Sequence, residues 1–179
     1  MNRQSFAVHK IMKTIKHIFA FSAFLALSVF AVSAQTSLPS LNGGSVDVQA
    51  QRGKVVILAV GASWLPLSGK QAEYTNSLAK KYAGKNVAIY FVATDSTNPK
   101  SKNYATDDKL RQWATAKGLT VPILRDSEGS ATLSKFGIDQ LPSFVVLDKS
   151  GSKSGETFGG SSVGFDITVP ISKKVDSLL

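Results

Sequence analysis

Val55-Val56-Ile57-Leu58-Ala59-Val60-Gly61-Ala62-Ser63-Trp64-Leu65-Pro66-Leu67-Ser68 is the stretch whose reading decides the fold. Residues 55–60 are apolar without interruption and rich in Val and Ile, as expected of a strand covered on both faces. A tryptophan and a short turn follow. Pro66 suits the first turn of a helix, where its missing N–H is no loss. Ala72, Leu78, Ala79 and Tyr82 then form the stripe of a helix that runs to about Ala83 and stops at Gly84. The stretch therefore reads as a buried strand, a turn presenting Trp64, and a helix.

The same grammar continues on both sides. Upstream, Leu41-Asn42-Gly43-Gly44 is a turn signal and Ser45-Val46-Asp47-Val48 alternates as a short strand does. Downstream, Val87-Ala88-Ile89-Tyr90-Phe91-Val92 is a second buried strand. The polar stretch Asp95 to Thr106 is long for a connection in a compact domain, and it follows a strand whose carboxyl end belongs to the ligand-binding edge of an open α/β sheet. It is expected to be a mobile loop beside the site. Asp107 and Asp108 open a helix carrying Leu110, Trp113 and Ala114 and ending at Gly118. Val121-Pro122-Ile123-Leu124 is a short strand, and Ala131 to Phe136 a short helix stopped by Gly137. Phe144-Val145-Val146-Leu147 is a strand, Asp148-Lys149-Ser150-Gly151 a turn, and Glu156-Thr157-Phe158 the hairpin partner. Pro170 opens a last helix with Ile171, Val175 and Leu178 on one face. Alternating strands and helices with a terminal hairpin imply an α/β fold, a central mixed sheet with helices on both faces.

The first 34 residues read as a leader, not as fold. Arg3, Lys10, Lys13 and Lys16 precede an apolar run over 18–34, and Val32-Ser33-Ala34 suits signal peptidase, so cleavage is expected after Ala34. Met12 offers an alternative start that shortens the basic region. The mature domain is then 35–179, periplasmic or secreted, with no stable membrane span once the leader is removed. Four of the 21 basic residues and none of the 12 acids precede residue 35, so the mature net charge is +5, against +9 for the whole chain. Lys80, Lys81 and Lys85, and likewise Lys173 and Lys174, read as solvated helix faces. No arginine-rich stripe interleaved with aromatics is present, so nucleic acid is not an expected partner.

Composition narrows the chemistry further. The chain has no cysteine, and its two histidines, His9 and His17, fall in the leader with both methionines. The mature chain therefore lacks thiolate nucleophiles, an imidazole base and soft or imidazole metal ligands. No cofactor and no metal are expected. Asp126, Glu128 and Gly129 read as a turn and not as a hard-cation site, Asp107 and Asp108 as helix-start acids, and Trp113 as core.

With the motifs in place, residues 38–179 resemble the exported thioredoxin-like proteins of the TlpA-like thiol–disulfide oxidoreductase (redoxin) group. Gly53-Lys54-Val55-Val56-Ile57-Leu58 resembles the strand entering the active site. Ala62-Ser63-Trp64-Leu65-Pro66-Leu67-Ser68 resembles the family's Ala-x-Trp-Cys-x-x-Cys. Gly118 to Asp126 and Phe136 to Gly151 resemble the later strand and the cis-proline segment. The resemblance implies a thioredoxin-like three-layer fold, puts Leu65 and Ser68 where the attacking and resolving cysteines stand and Ala59 beneath the site, and makes Pro142 the cis-proline. Exchange proceeds by thiolate attack through a mixed disulfide. Leu65 has no nucleophile, and Ser68 has no histidine to activate it. The expectation is a redox-inactive module that binds a protein or peptide of the cell envelope in the vestigial groove of Trp64, Leu65, Pro66, Leu67, Leu141 and Pro142, rimmed by Ser68, Lys70 and Gln140. The alternatives are the thiol–disulfide oxidoreductase or peroxiredoxin-like antioxidant activity that the family implies, and a structural envelope subunit.

Overall fold

The computed structural model describes residues 36–159 and 165–179, all within the unit Gln35–Leu179. The leader and its cleavage site lie outside the described residues. A two-stranded antiparallel hairpin comes first, β1 (Ser37–Pro39) with β2 (Ser45–Asp47). β3 (Val55–Gly61) leads into helix α1 (Ser68–Lys81), then β4 (Val87–Ala93), α2 (Asp107–Ala116) and β5 (Ile123–Arg125). The short helix α3 (Leu133–Phe136), β6 (Ser143–Leu147), β7 (Phe158–Gly159) and α4 (Thr168–Asp176) complete the described chain.

The main sheet has the order β5-β4-β3-β6-β7. β3, β4 and β5 are parallel, while β6 and β7 run antiparallel to their neighbours. β3 is central, and all seven of its residues are buried. Its side chains alternate between two cores, as the period of two requires. Val55, Ile57 and Ala59 join Leu78 of α1, Leu110 and Ala114 of α2, and Ile171 and Val175 of α4. Val56, Leu58 and Val60 share the second core with Phe136 of α3 and Leu38 of β1. Each buried Val, Leu or Ile contributes roughly 1.5–3 kcal/mol. Trp113 is part of the first core, its ring 5.2 Å from that of Phe91. The architecture is thus the three-layer, thioredoxin-like α/β fold with a central mixed sheet and helices on both faces.

Several boundaries differ from the sequence reading. Pro66 lies in the turn, not in the helix: α1 starts at Ser68, with Leu67 as its N-cap residue. The strand after α2 is Ile123–Arg125 and excludes Val121 and Pro122, while β7 keeps only Phe158 of the expected Glu156–Phe158 partner. α4 begins at Thr168, so Pro170 stands within its first turn. The connection 95–106 is tied at its base instead of hanging free. Ser96 N–H donates to Asn103 O (2.9 Å), Ala105 N–H to Ser96 O (3.1 Å), and the buried Arg125 guanidinium to Ser96 O and Ala105 O.

Candidate functional site

The strand–turn–helix stretch places Trp64 at the carboxyl end of β3. Leu65 N–H donates to Ala62 O (3.2 Å), Ser68 N–H to Leu65 O (3.1 Å), and Gln71 N–H to Leu67 O (2.9 Å). The chain therefore winds through a tight turn directly into α1. Trp64 is 52% and Leu67 43% exposed, Pro66 is exposed, and Leu65 is half-buried. Val60 of β3 pairs with Ser143 of β6, so Leu141 and Pro142 arrive at the same end of the sheet. Both are half-buried. The Leu141–Pro142 peptide bond is cis.

Ser68 is not on the rim. It is 0% exposed, and its Oγ has no hydrogen-bond partner among the described residues. A buried hydroxyl without a base cannot attack a substrate, which removes Ser68 as a nucleophile on accessibility as well as on chemistry. Beside it sits Gln71, 2% exposed. Its Nε2 donates to Val60 O (3.1 Å) and to Ser143 O (2.9 Å), while its Oε1 is unpartnered. One side chain thus ties α1 to the end of β3 and to the residue following the cis-proline. Gly61 leaves room for it: a Cβ there would collide with Gln71 Oε1. Ala59, two residues earlier in β3, is fully buried.

Sequence reasoning missed Asp95, which it counted into a polar loop. The structure buries it completely at the end of β4, beside the turn. Its carboxylate accepts from Ser63 N–H, at 3.0 Å to Oδ2 and 3.2 Å to Oδ1, and from Ser63 Oγ. Asp95 therefore clamps the residue immediately before Trp64. Asp95→Ala should lower stability by about 1–3 kcal/mol, since it strands the Ser63 donors. Urea unfolding measures this, and a loss below about 0.5 kcal/mol would mean that water replaces the clamp.

The other polar clusters serve the fold. Asp126 accepts from Ala131 N–H, Thr132 N–H and Thr132 Oγ, fixing the start of α3, and Glu128 accepts from Ser96 Oγ. Among the described residues no group of three or more potential ligands is placed to hold a metal ion. An open cavity of about 340 Å³ beside α2 holds Asp107, Asp108, Arg111 and Arg125, but these charges pair internally, Arg125 with Asp107 and Arg111 with Asp108.

Residues 31–152 match the AhpC/TSA family. The chain belongs to that family. It is 28% identical over 117 residues to the thioredoxin-like protein YneN of Bacillus subtilis (strain 168), a stretch covering 64% of this chain and 62% of that protein, less than two thirds of its length. Among solved structures, a putative thiol:disulfide interchange protein DsbE from Chlorobium tepidum is similar at TM-score 0.65 and 17% identity, over 80% of this chain and 92% of that one. The pneumococcal exposed lipoprotein thioredoxin Etrx1 from Streptococcus pneumoniae strain TIGR4 is similar at TM-score 0.62 and 25% identity, over 81% and 100%. These likenesses agree with the thioredoxin-like fold. Against them stands the absence of any cysteine from this redoxin-family chain.

Proposed function

We propose that this protein is an exported, redox-inactive member of its family that binds a protein or peptide of the cell envelope through Trp64, Leu65, Pro66, Leu67, Leu141 and Pro142. The observation that carries the reading is the exposure of Trp64 and Leu67 on a turn braced from below by Asp95 and Gln71. A tryptophan more than half exposed on a braced turn is a contact residue in waiting: it presents apolar area that loses little freedom on binding. Leu65, Leu141 and Pro142 stand half-buried at the same end of the sheet and would extend this apolar surface, and apolar patches mark contacts. Thiol exchange has no atoms to run on, because no sulfur nucleophile exists in the chain. In this reading the leader is cleaved after Ala34, and residues 35–179 act in the periplasm or outside the cell. Among the described residues no helix is long and apolar enough to cross a membrane.

Leu65→Asp tests the groove. A desolvated apolar anchor of this size is worth roughly 1.5–3 kcal/mol, so retention of envelope partners on the immobilised protein should fall about tenfold or more, with the melting curve unchanged. Unchanged retention with unchanged melting would show the groove to be unused. A collapsed melting curve would show Leu65 to be core.

A further inference from the structure

The sequence shows two separate lysine pairs and a lone lysine, each an ordinary solvated face. The fold brings Lys81, Lys85 and Lys173 together. Near its C-terminal end α1 packs against α4: Tyr82 OH donates to Ser172 O (3.2 Å) and to Asp176 Oδ1 (2.9 Å), and Lys81 Nζ reaches Asp176 Oδ2 (3.1 Å). Lys81 and Lys85 both stand over the Tyr82 ring, at 5.2 and 5.4 Å. Lys81 and Lys173 line one shallow cavity of about 540 Å³ together with Thr168, Val169, Ser172 and Asp176. Lys174, on the same helix as Lys173, extends instead toward Gly155.

Asp176 is the one acid inside this cluster. The Tyr82 hydroxyl and then the Lys81 ammonium hold its carboxyl below the ordinary carboxylate range, so it stays charged and engaged. The other acids of this layer, Glu73 and Asp166, sit by Lys70 at the far end of α1. Lys81, Lys85 and Lys173 therefore gather around one committed aspartate, leaving a local excess of positive charge. Val169, which lines the same cavity, is 65% exposed.

We propose that this α1–α4 face docks on an anionic lipid surface, with Lys81, Lys85 and Lys173 at the headgroups and Val169 entering the interface. Charge complementarity carries the choice of occupant. The cluster is all lysine, with no arginine to form the bidentate fork that phosphate recognition on nucleic acid favours. Lysine ammonium groups respond instead to the diffuse field of an anionic leaflet, each worth about a fivefold gain in partition. Exposed apolar side chains among lysines suit the boundary between headgroup and acyl chain, where peripheral proteins bury them. The inference does not depend on the groove at Trp64.

The test uses protein recovered from cells expressing the full chain, in the form the cell leaves it, and co-sedimentation with vesicles. Vesicles containing phosphatidylglycerol should bind it at low ionic strength and release it at high salt, while pure phosphatidylcholine vesicles should not show that salt-sensitive binding. Lys81→Gln/Lys85→Gln/Lys173→Gln should lower partition about a hundredfold. Val169→Ser should lower it several-fold. Circular dichroism checks that the variants stay folded. Equal binding to both kinds of vesicle would overturn the proposal, as would unchanged partition of the triple variant. Binding to polyglutamate or DNA without binding to phosphatidylglycerol vesicles would overturn it too, and assign the face to a different partner.

Discussion

Leu65→Cys/Ser68→Cys should give this chain a working disulfide where the parent has none. The geometry for it is in place. Ser68 N–H bonds back to Leu65 O at 3.1 Å, closing a turn that holds the two Cα atoms within about 7 Å. A disulfide needs roughly 4.4–6.8 Å. The position of Ser68 is fully buried and its hydroxyl unpartnered, so a thiol, which tolerates an apolar site, fits better than the oxygen it replaces. Position 65 stands just before a helix whose first turn contains no acid, and the side chain of Lys117 reaches Gly69. The helix N-terminus favours a thiolate there, and the Lys117 ammonium beside Gly69 adds positive charge to the same helix start. The oxidised double variant should show no free thiols, and two after reduction. Its insulin-reduction rate should exceed the parent's background by at least about tenfold, since the parent has no thiolate to attack with. Two thiols that stay free under oxidant in the folded protein would show that the turn has moved too far from the redox geometry. Activity in the cysteine-free parent that survives repurification would overturn the inert reading altogether.

What the sequence disclosed and what it hid divide along the range of the interactions. Val55 to Val60 announce a doubly covered strand because the pattern is local and unbroken, and β3 is buried throughout. The cis bond at Leu141–Pro142 was expected only through the family resemblance of Phe136 to Gly151, since no local pattern separates it from a trans bond. Pro66 misled by one turn, because a proline that fits the first turn of a helix fits the preceding turn equally well. Gln71 and Asp95 were missed for one reason. Both are polar, so composition assigns them to the surface, while their burial depends on partners at Ser143 and Ser63, far along the chain. A weak signal for Gln71 existed: Leu78, Gln71 and Ser68 lie on one helical stripe, and continuing the apolar face of α1 backwards runs through both polar residues. The lysine face had no such signal, because it arises only when α1 meets α4.

Gln71→Leu should be the most damaging conservative change near the site. The side chain is 2% exposed, and its amide donates to Val60 O and Ser143 O, on the two strands that carry the turn and the cis-proline loop. Leucine fills most of the volume but offers neither donor, leaving two buried carbonyls each one partner short. Each lost bond costs about 0.5–1.5 kcal/mol, more where a carbonyl is left bare. The gain from removing the unpartnered Oε1 offsets part of this. A net loss of about 2 kcal/mol follows, or roughly 4–8 °C in Tm for a domain of this size. A second readout separates positioning from mere stability. Because Gln71 bridges α1 to both strands, partner retention at a temperature where the variant is fully folded should fall several-fold, whereas a surface change with the same Tm loss should leave it intact. If Tm falls and retention does not, Gln71 supports the core and leaves the groove to hold its own shape. If neither moves, water has replaced the amide and the latch has no role.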